Sequence, residues 1–274
     1  MKLKNKTAII TGAARGIGRA CAYKFAENGA DLILTDIGHQ LAEVPYCIGT
    51  RSQLLMTAEK CREHNVSVCT EYVDVRSLNE ISRMIENALC RFGKIDVIVN
   101  CAGIAAPSGK PTHEITEEEW NLMLDIDLTG AWRLIKKVGP QMIQQRFGSI
   151  INISSTAGVV GYRNFSSYVT AKHGLVGLTK AAALDYASYN VRVNAICPGS
   201  VEDNELYEGK MLSEIAKALS IDQDDYESVF LQSQPNNQLV KPEDIGNTTV
   251  WLASDDTVRV TGSIIVVDGG FTSK

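Results

Sequence analysis

Tyr168 and Lys172 stand four residues apart in the run Tyr168-Val169-Thr170-Ala171-Lys172. On a helix that spacing puts a phenol and an ammonium on one face. A free phenol has a pKa of about 10, and a nearby positive charge favours its ionised form. The pair is therefore a candidate proton donor and acceptor. Ser155 sits at the end of an apolar run that reads as a strand, and offers a hydroxyl to the same edge. A second group lies near the N-terminus, Thr11-Gly12-Ala13-Ala14-Arg15-Gly16-Ile17-Gly18. Glycines serve plain turns, and they also let backbone approach a pyrophosphate at a helix N-terminus. The strand before this turn and the helix after it favour the phosphate reading. Asp36, with Ile37 beside it, ends the next strand. A carboxylate there accepts from a ribose 2′-hydroxyl and repels a 2′-phosphate; the alternative is a solvated strand end. Arg15 points the other way, because a guanidinium in this turn suits a 2′-phosphate.

These residues need a frame to bring them together. Short runs rich in Val, Ile and Leu read as strands at 7–11, 31–36, 67–73, 95–100, 149–154, 191–195 and 263–267. Several are nearly continuous in apolar residues, as in parallel strands buried on both faces. Helical patterns fill the gaps at 17–28, 52–64, 78–92, 117–145, 167–189 and 243–253. Alternation of this kind predicts an α/β fold, a doubly wound Rossmann sheet with right-handed crossovers. No repeat or linker divides the chain, so a single domain over 1–274 is expected. Two connections are long for such a domain, 37–51 and 202–237. The second has Met211, Ile215 and Leu219 at helical spacing and follows the sixth strand, which predicts a substrate lid.

The bulk numbers exclude several classes. A net charge of −5 with no Lys/Arg cluster argues against a nucleic-acid partner. No apolar run approaches the length of a membrane span, and the basic start lacks the apolar core of a signal peptide. Seven cysteines, an odd number without CxxC spacing, read as reduced thiols of a cytoplasmic protein. Four scattered histidines form no metal constellation, so no metal is expected.

The glycine turn, Asn100-Cys101-Ala102-Gly103, Ser155, the Tyr168/Lys172 pair and Pro198-Gly199 together resemble the short-chain dehydrogenase/reductase family, in its order and spacings, over residues 4–270. The resemblance implies a seven-stranded parallel sheet ordered 3-2-1-4-5-6-7, and Ser155, Tyr168 and Lys172 as catalytic residues. It also implies a nicotinamide cofactor. Gly12, Gly16, Ile17 and Gly18 would hold its pyrophosphate, while Asp74 and Val75 would meet adenine. Asn100, Ala102 and Gly103 would line the cleft, and Pro198, Gly199 and Val201 would meet the nicotinamide. With Asp36, the cofactor expected is NAD. The long loop after Asp36, Trp132-Arg133 and Ala171-Lys172-His173-Gly174 are similar to carveol-dehydrogenase-like members. Two positions depart from the family pattern. Asp127 stands where the family usually has an Asn in a water relay to the lysine; a carboxylate accepts but does not donate, and it has the option of pairing with Lys172. Asp203 stands where a Thr that bonds the nicotinamide amide is common.

The resulting expectation is an NAD(H)-dependent enzyme interconverting a secondary alcohol and a ketone on a small to mid-sized, largely apolar substrate. An NADPH-dependent carbonyl or 3-ketoacyl reductase is the alternative enzyme, and a catalytically silent NAD-binding sensor the alternative of another class. Residues 202–227 carry nine acidic side chains and two lysines, which offers little to a phosphorylated carrier. Tyr162 and Phe165 either line the substrate pocket or cover the core. His173 lies about 100° around the helix from Lys172 and reads as a packing or interface residue. A homodimer or homotetramer is implied, through the helices at 117–145 and 167–189.

Overall fold

The computed structural model describes residues 1–222 and 224–273. Its centre is a parallel sheet of seven strands: β1 Thr7–Thr11, β2 Asp31–Asp36, β3 Val68–Tyr72, β4 Val97–Asn100, β5 Gly148–Ile153, β6 Val191–Pro198 and β7 Ile264–Val267. They lie in the order β3-β2-β1-β4-β5-β6-β7, as expected. The side chains of a strand alternate between faces, and two cores result. Ile9, Ile33, Ile98, Ile150 and Val193 point into one; Ile10, Leu32, Leu34, Val99 and Ile151 point into the other. Parallel pairing requires crossovers, and these supply the helices that bury both faces. The first core is closed by α3 (Leu78–Phe92), α5 (Gly130–Gln145) and α6 (Ser166–Tyr186), and the second by α1 (Gly16–Glu27), α2 (Arg51–Arg62) and α9 (Pro242–Ala253). Chain order reverses between β1 and β4, which opens a crevice at the carboxyl ends of those strands.

Two departures from the sequence expectation, and the shape of the expected long connection after β2, bear on function. The helix expected over 117–145 is α4 (Glu117–Leu124), a π-helical turn (Asp125–Thr129) and α5. The wider turn carries one extra residue and directs Asp127 inward, where it is 2% exposed. The sixth strand runs to Pro198 rather than residue 195, because β7 pairs with it up to Pro198↔Val267. Residues 37–50 form neither strand nor helix but fold back onto the sheet edge, with Leu41, Val44 and Tyr46 buried in the first core. The Gln40 amide gives this loop its shape. It donates to the carbonyls of Leu41, Val44 and Tyr46 and accepts from the Ile48 N–H. The loop ends on a capping box, Thr50 with Gln53, which starts α2.

The long segment after β6 holds α7 (Met211–Ala218) and α8 (Tyr226–Ser233). Asp203 accepts the N–H groups of Leu212 and Ser213, so its carboxylate neutralises the first turn of α7. At the other end of α7 the Ala218 carbonyl would lie 2.6 Å from a Cβ at Gly109, so helix and loop meet backbone to backbone.

The crossing of strand and helix at the first turn is the tightest point of the frame. A Cβ at Gly18 would collide with the carbonyl oxygen of Gly12, and neither backbone has room to yield. Gly93 ends α3 at φ +74° with open space around it. Gly18→Ala is expected to lower stability by about 3 kcal/mol, and Gly93→Ala by about 1 kcal/mol for the left-handed backbone alone. Denaturant unfolding of both variants checks this; equal costs would show that the turn is not under this constraint.

Candidate active site

Ser155 lies two residues past the end of β5, and Tyr168 and Lys172 rise from the first turns of α6, so strand end and helix face the crevice together. Tyr168 is 8% and Lys172 5% exposed. The Lys172 ammonium lies 5.5 Å from the centre of the Tyr168 ring and donates to the Ile153 carbonyl at 3.3 Å. Its Nζ is also 2.9 Å from Asp127 Oδ2, an ion pair rather than a well-aligned hydrogen bond. The other carboxylate oxygen of Asp127 accepts the Ile104 N–H at 2.9 Å. Gly103 is needed here, because a Cβ would come within 2.9 Å of Asp127 Oδ2. The Ser155 hydroxyl accepts from the Ala157 N–H, which fixes its rotamer at the strand end.

The charges act on one another. Burial pushes the Tyr168 phenol up; Lys172 pulls it down, Asp127 pushes it up again, and the Ser155 hydroxyl opposes that rise. Burial pushes Lys172 down, but Asp127 and then the phenol outweigh it, so the lysine is held well above its ordinary range as an ammonium. Asp127 is raised by burial against the pull of Lys172 and the Ile104 N–H. The pairing left open by the sequence is thus present. While ionised, Asp127 accepts but does not donate, unlike the amide usual at this position; its contacts are with the charge beside the phenol and with the Ile104 N–H.

Most of the other expected residues border the same cleft, which encloses about 1870 Å³ of empty space with its open mouth included. Gly12, Arg15, Gly16, Ile17 and Gly18 form one end. Gly16 is at φ +57° with nothing within 4 Å of where a Cβ would stand, so the turn is open on that side, a cradle that fits a pyrophosphate, while the Gly16 N–H itself donates to the Tyr207 carbonyl. Asp36 is nine-tenths buried and accepts from the Ala14 and Ile37 N–H groups. Burial raises its carboxyl, and those two N–H groups and Arg15 counter the rise. The Arg15 guanidinium lies over the Tyr46 ring, 5.7 Å from its centre. Asp74 borders the cleft with Val75, but both its oxygens are bonded by Arg76, which brings its carboxyl below the ordinary range despite burial. Ala102, Gly103, Pro198, Gly199 and Val201 complete the lining.

Asn100 is elsewhere. Its side chain lies beneath the cleft floor, donates to Asn152 and borders a small void that it shares with Asp127. Tyr162 and Phe165 both face the cleft, and the Tyr162 hydroxyl is 2.8 Å from that of Thr156. His173 bonds the Val169 carbonyl on the outer side of the helix, away from the cleft. Asp203 lines the cleft but is engaged with α7. Tyr46 was not expected. It reaches the cleft from loop 37–50, and its hydroxyl accepts the Ala105 N–H at 3.2 Å. The apolar run Leu41, Val44, Tyr46 and Ile48 was the only sign of it in the sequence.

The sequence model of a family described as enoyl-(acyl carrier protein) reductase matches residues 12–272. The chain is 35% identical over 279 aligned positions to a (-)-trans-carveol dehydrogenase of Rhodococcus erythropolis, covering 100% of this chain and 99% of that one. It is equally 35% identical, over 266 positions, to the 3-oxoacyl-[acyl-carrier-protein] reductase of Staphylococcus epidermidis, covering 97% and 98%. Among solved structures, a carveol dehydrogenase from Mycobacterium avium in complex with NAD superposes with a TM-score of 0.90 at 31% identity, covering 100% and 99%. The chain belongs to the short-chain dehydrogenase/reductase family of oxidoreductases, with likeness to its carveol dehydrogenases.

Replacing Asp127 by Asn removes a negative charge that raises the Tyr168 phenol, while an amide keeps an acceptor for the Ile104 N–H. The pH at which Tyr168 ionises is expected to fall, with turnover kept or modestly raised. The pH dependence of kcat/KM for alcohol oxidation in Asp127→Asn against wild type measures it. An unmoved limb, or a loss of about a hundredfold in activity, would show that the carboxylate has a role of its own.

Proposed function

We propose that the protein is an NAD(H)-dependent dehydrogenase that interconverts a secondary alcohol and a ketone on a small to mid-sized, largely apolar substrate. The observation that carries this reading is the meeting of Tyr168, Lys172 and Ser155 at the edge of a cleft whose far end holds the glycine turn and Asp36. The turn with Gly12, Gly16, Ile17 and Gly18 would hold the pyrophosphate, and Asp36 the adenosine ribose. Asp74 and Val75 would border adenine. Ala102, Gly103, Pro198, Gly199 and Val201 would line the nicotinamide end, with Asn100 supporting it from below. NAD+ supplies a hydride acceptor when bound.

In the oxidising direction Tyr168, as phenolate, takes the proton of the substrate hydroxyl. Ser155 holds the same oxygen with its hydroxyl and stabilises charge that develops there. Lys172 keeps the phenolate accessible by its charge and would bind the nicotinamide ribose. For reduction the protonated Tyr168 donates. Asp127 keeps Lys172 charged and in place.

Residues 202–237 serve as a lid. Met211, Leu212, Ile215, Leu219 and Phe230 border the cleft from this segment, an apolar roof that suits an apolar substrate. Closure would exclude water from the reacting carbon. The acidic outer side of the segment disfavours a phosphorylated carrier, which sets the thioester reductases of the family apart from this chain. The helices α4 to α6 would form a homodimer or homotetramer interface, and exposed Trp132 and Leu184 lie on them. No helix among the described residues is long and apolar enough to cross a membrane. With seven free cysteines, a cytoplasmic setting fits.

A panel of cyclic and acyclic secondary alcohols, assayed with NAD+ and NADP+, tests the reading. NAD+ is expected to be preferred by about a hundredfold, because Asp36 repels a 2′-phosphate, and Asp36→Ala should narrow the gap. Tyr168→Phe should lower kcat by about a thousandfold and leave NADH affinity within a few-fold. A wild-type preference for NADP+, or near-normal turnover by Tyr168→Phe, would overturn it.

A further inference from the structure

Arg19 is the largest side chain wholly enclosed by the protein, 2% exposed on a face of α1 that is otherwise Ala20, Cys21, Ala22 and Phe25. A guanidinium remains charged when buried, so its partners indicate what it is for. Nε and Nη2 both donate to the Ala14 carbonyl in the glycine turn, at 3.0 and 2.6 Å. Nε also reaches the Thr57 hydroxyl on α2. The remaining contacts leave the sheet frame: Nη1 donates to the Leu206 carbonyl at 3.0 Å, and Nη2 pairs with Glu208 at 2.6 Å. Gln53 of α2 donates to the same Glu208 oxygen.

Residues 204–209 are the root of the segment that carries α7. They are fastened to the turn a second time, by the Gly16 N–H donating to the Tyr207 carbonyl at 2.6 Å. Tyr207 is 3% exposed and lies beside Tyr23 of α1. The Ala14 carbonyl held by Arg19 belongs to the residue whose N–H bonds Asp36. Asp36, the pyrophosphate turn and the lid root thus belong to one chain of hydrogen bonds, and Arg19 is the side-chain link between the last two, beside the backbone bond from Gly16.

We propose that Arg19, with Glu208, is a positioning residue that fixes the lid root to the pyrophosphate turn, so that cofactor residence and lid closure are coupled. The proposal rests on the dinucleotide reading of the cleft. Neither side chain lines the cleft, so their effect is transmitted through backbone, at Ala14 on one side and Leu206 on the other. A merely structural arginine would change stability. A positioning one changes how long the cofactor stays and how well substrate is held, and spares the chemical step.

The experiment uses the full-length protein and three variants, Glu208→Ala, Glu208→Gln and Arg19→Lys. Glu208 is partly exposed, so its variants retain the fold even where Arg19→Lys does not. For Glu208→Ala, the rate of NADH release measured by stopped-flow fluorescence and the substrate KM are each expected to rise about tenfold. Hydride transfer in a single turnover should stay within about twofold. Amide exchange over residues 204–219 should quicken in the cofactor-free variant. Glu208→Gln should recover most of the loss, since an amide still accepts from Arg19. NADH release and KM unchanged in Glu208→Ala would overturn the coupling. Wild-type protein that binds no NADH would remove the dinucleotide reading itself, and this inference with it.

Discussion

Lys172 keeps a positive charge although burial works against it, and the arrangement of the cleft depends on that charge. An isolated buried ammonium is costly, and proteins either neutralise such a group or pair it. Here Asp127 pairs it at 2.9 Å, and the Ile153 carbonyl takes a hydrogen bond from it. The charge then acts on the neighbouring phenol, whose own burial opposes ionisation. Three elements must agree for this to hold. The end of β5 supplies the carbonyl and Ser155, α6 supplies the lysine and phenol, and the π turn before α5 supplies the carboxylate. A regular helix through residues 125–129 would turn Asp127 to another side and leave the ammonium without its counter-ion.

Charge is balanced at the far end of the cleft as well. Asp36 is buried and receives two backbone N–H groups, with Arg15 nearby but turned over the Tyr46 ring. A ribose hydroxyl would meet an acceptor there, and a phosphate would meet a carboxylate. Loop 37–50 and residues 204–209 flank this region from opposite sides. Each is held by a polar side chain that bonds more than one backbone carbonyl, Gln40 within the loop and Arg19 between Leu206 and the glycine turn.

Much of this was legible in the sequence. The strands announce themselves as continuous Val, Ile and Leu runs, because a parallel sheet buries both faces, and their alternation with helices fixes the crevice that collects Ser155, Tyr168 and Lys172. The π turn was not legible: Met123, Ile126 and Leu134 keep an apolar periodicity that a plain helix would also show. Asp203 reads in the sequence only as a departure from the family's Thr, whereas its carboxylate serves the first turn of α7, partners nine and ten residues away that spacing rules do not cover. Loop 37–50 has no periodicity, since its order comes from Gln40 rather than from a repeating face. Arg19 left a faint mark, one charge on a buried helix face, whose meaning depends on a segment nearly two hundred residues further on.

The central claim is that the buried ammonium governs ionisation of the Tyr168 phenol. It is tested most directly by titrating that phenol in the free enzyme and with NAD+ bound, by ultraviolet difference spectra corrected with Tyr168→Phe, in wild type and Lys172→Met. The account predicts that Tyr168 ionises at distinctly higher pH in Lys172→Met, where the pull of the lysine is gone and Asp127 is left to oppose the phenolate. The same titration midpoint in both proteins would contradict it.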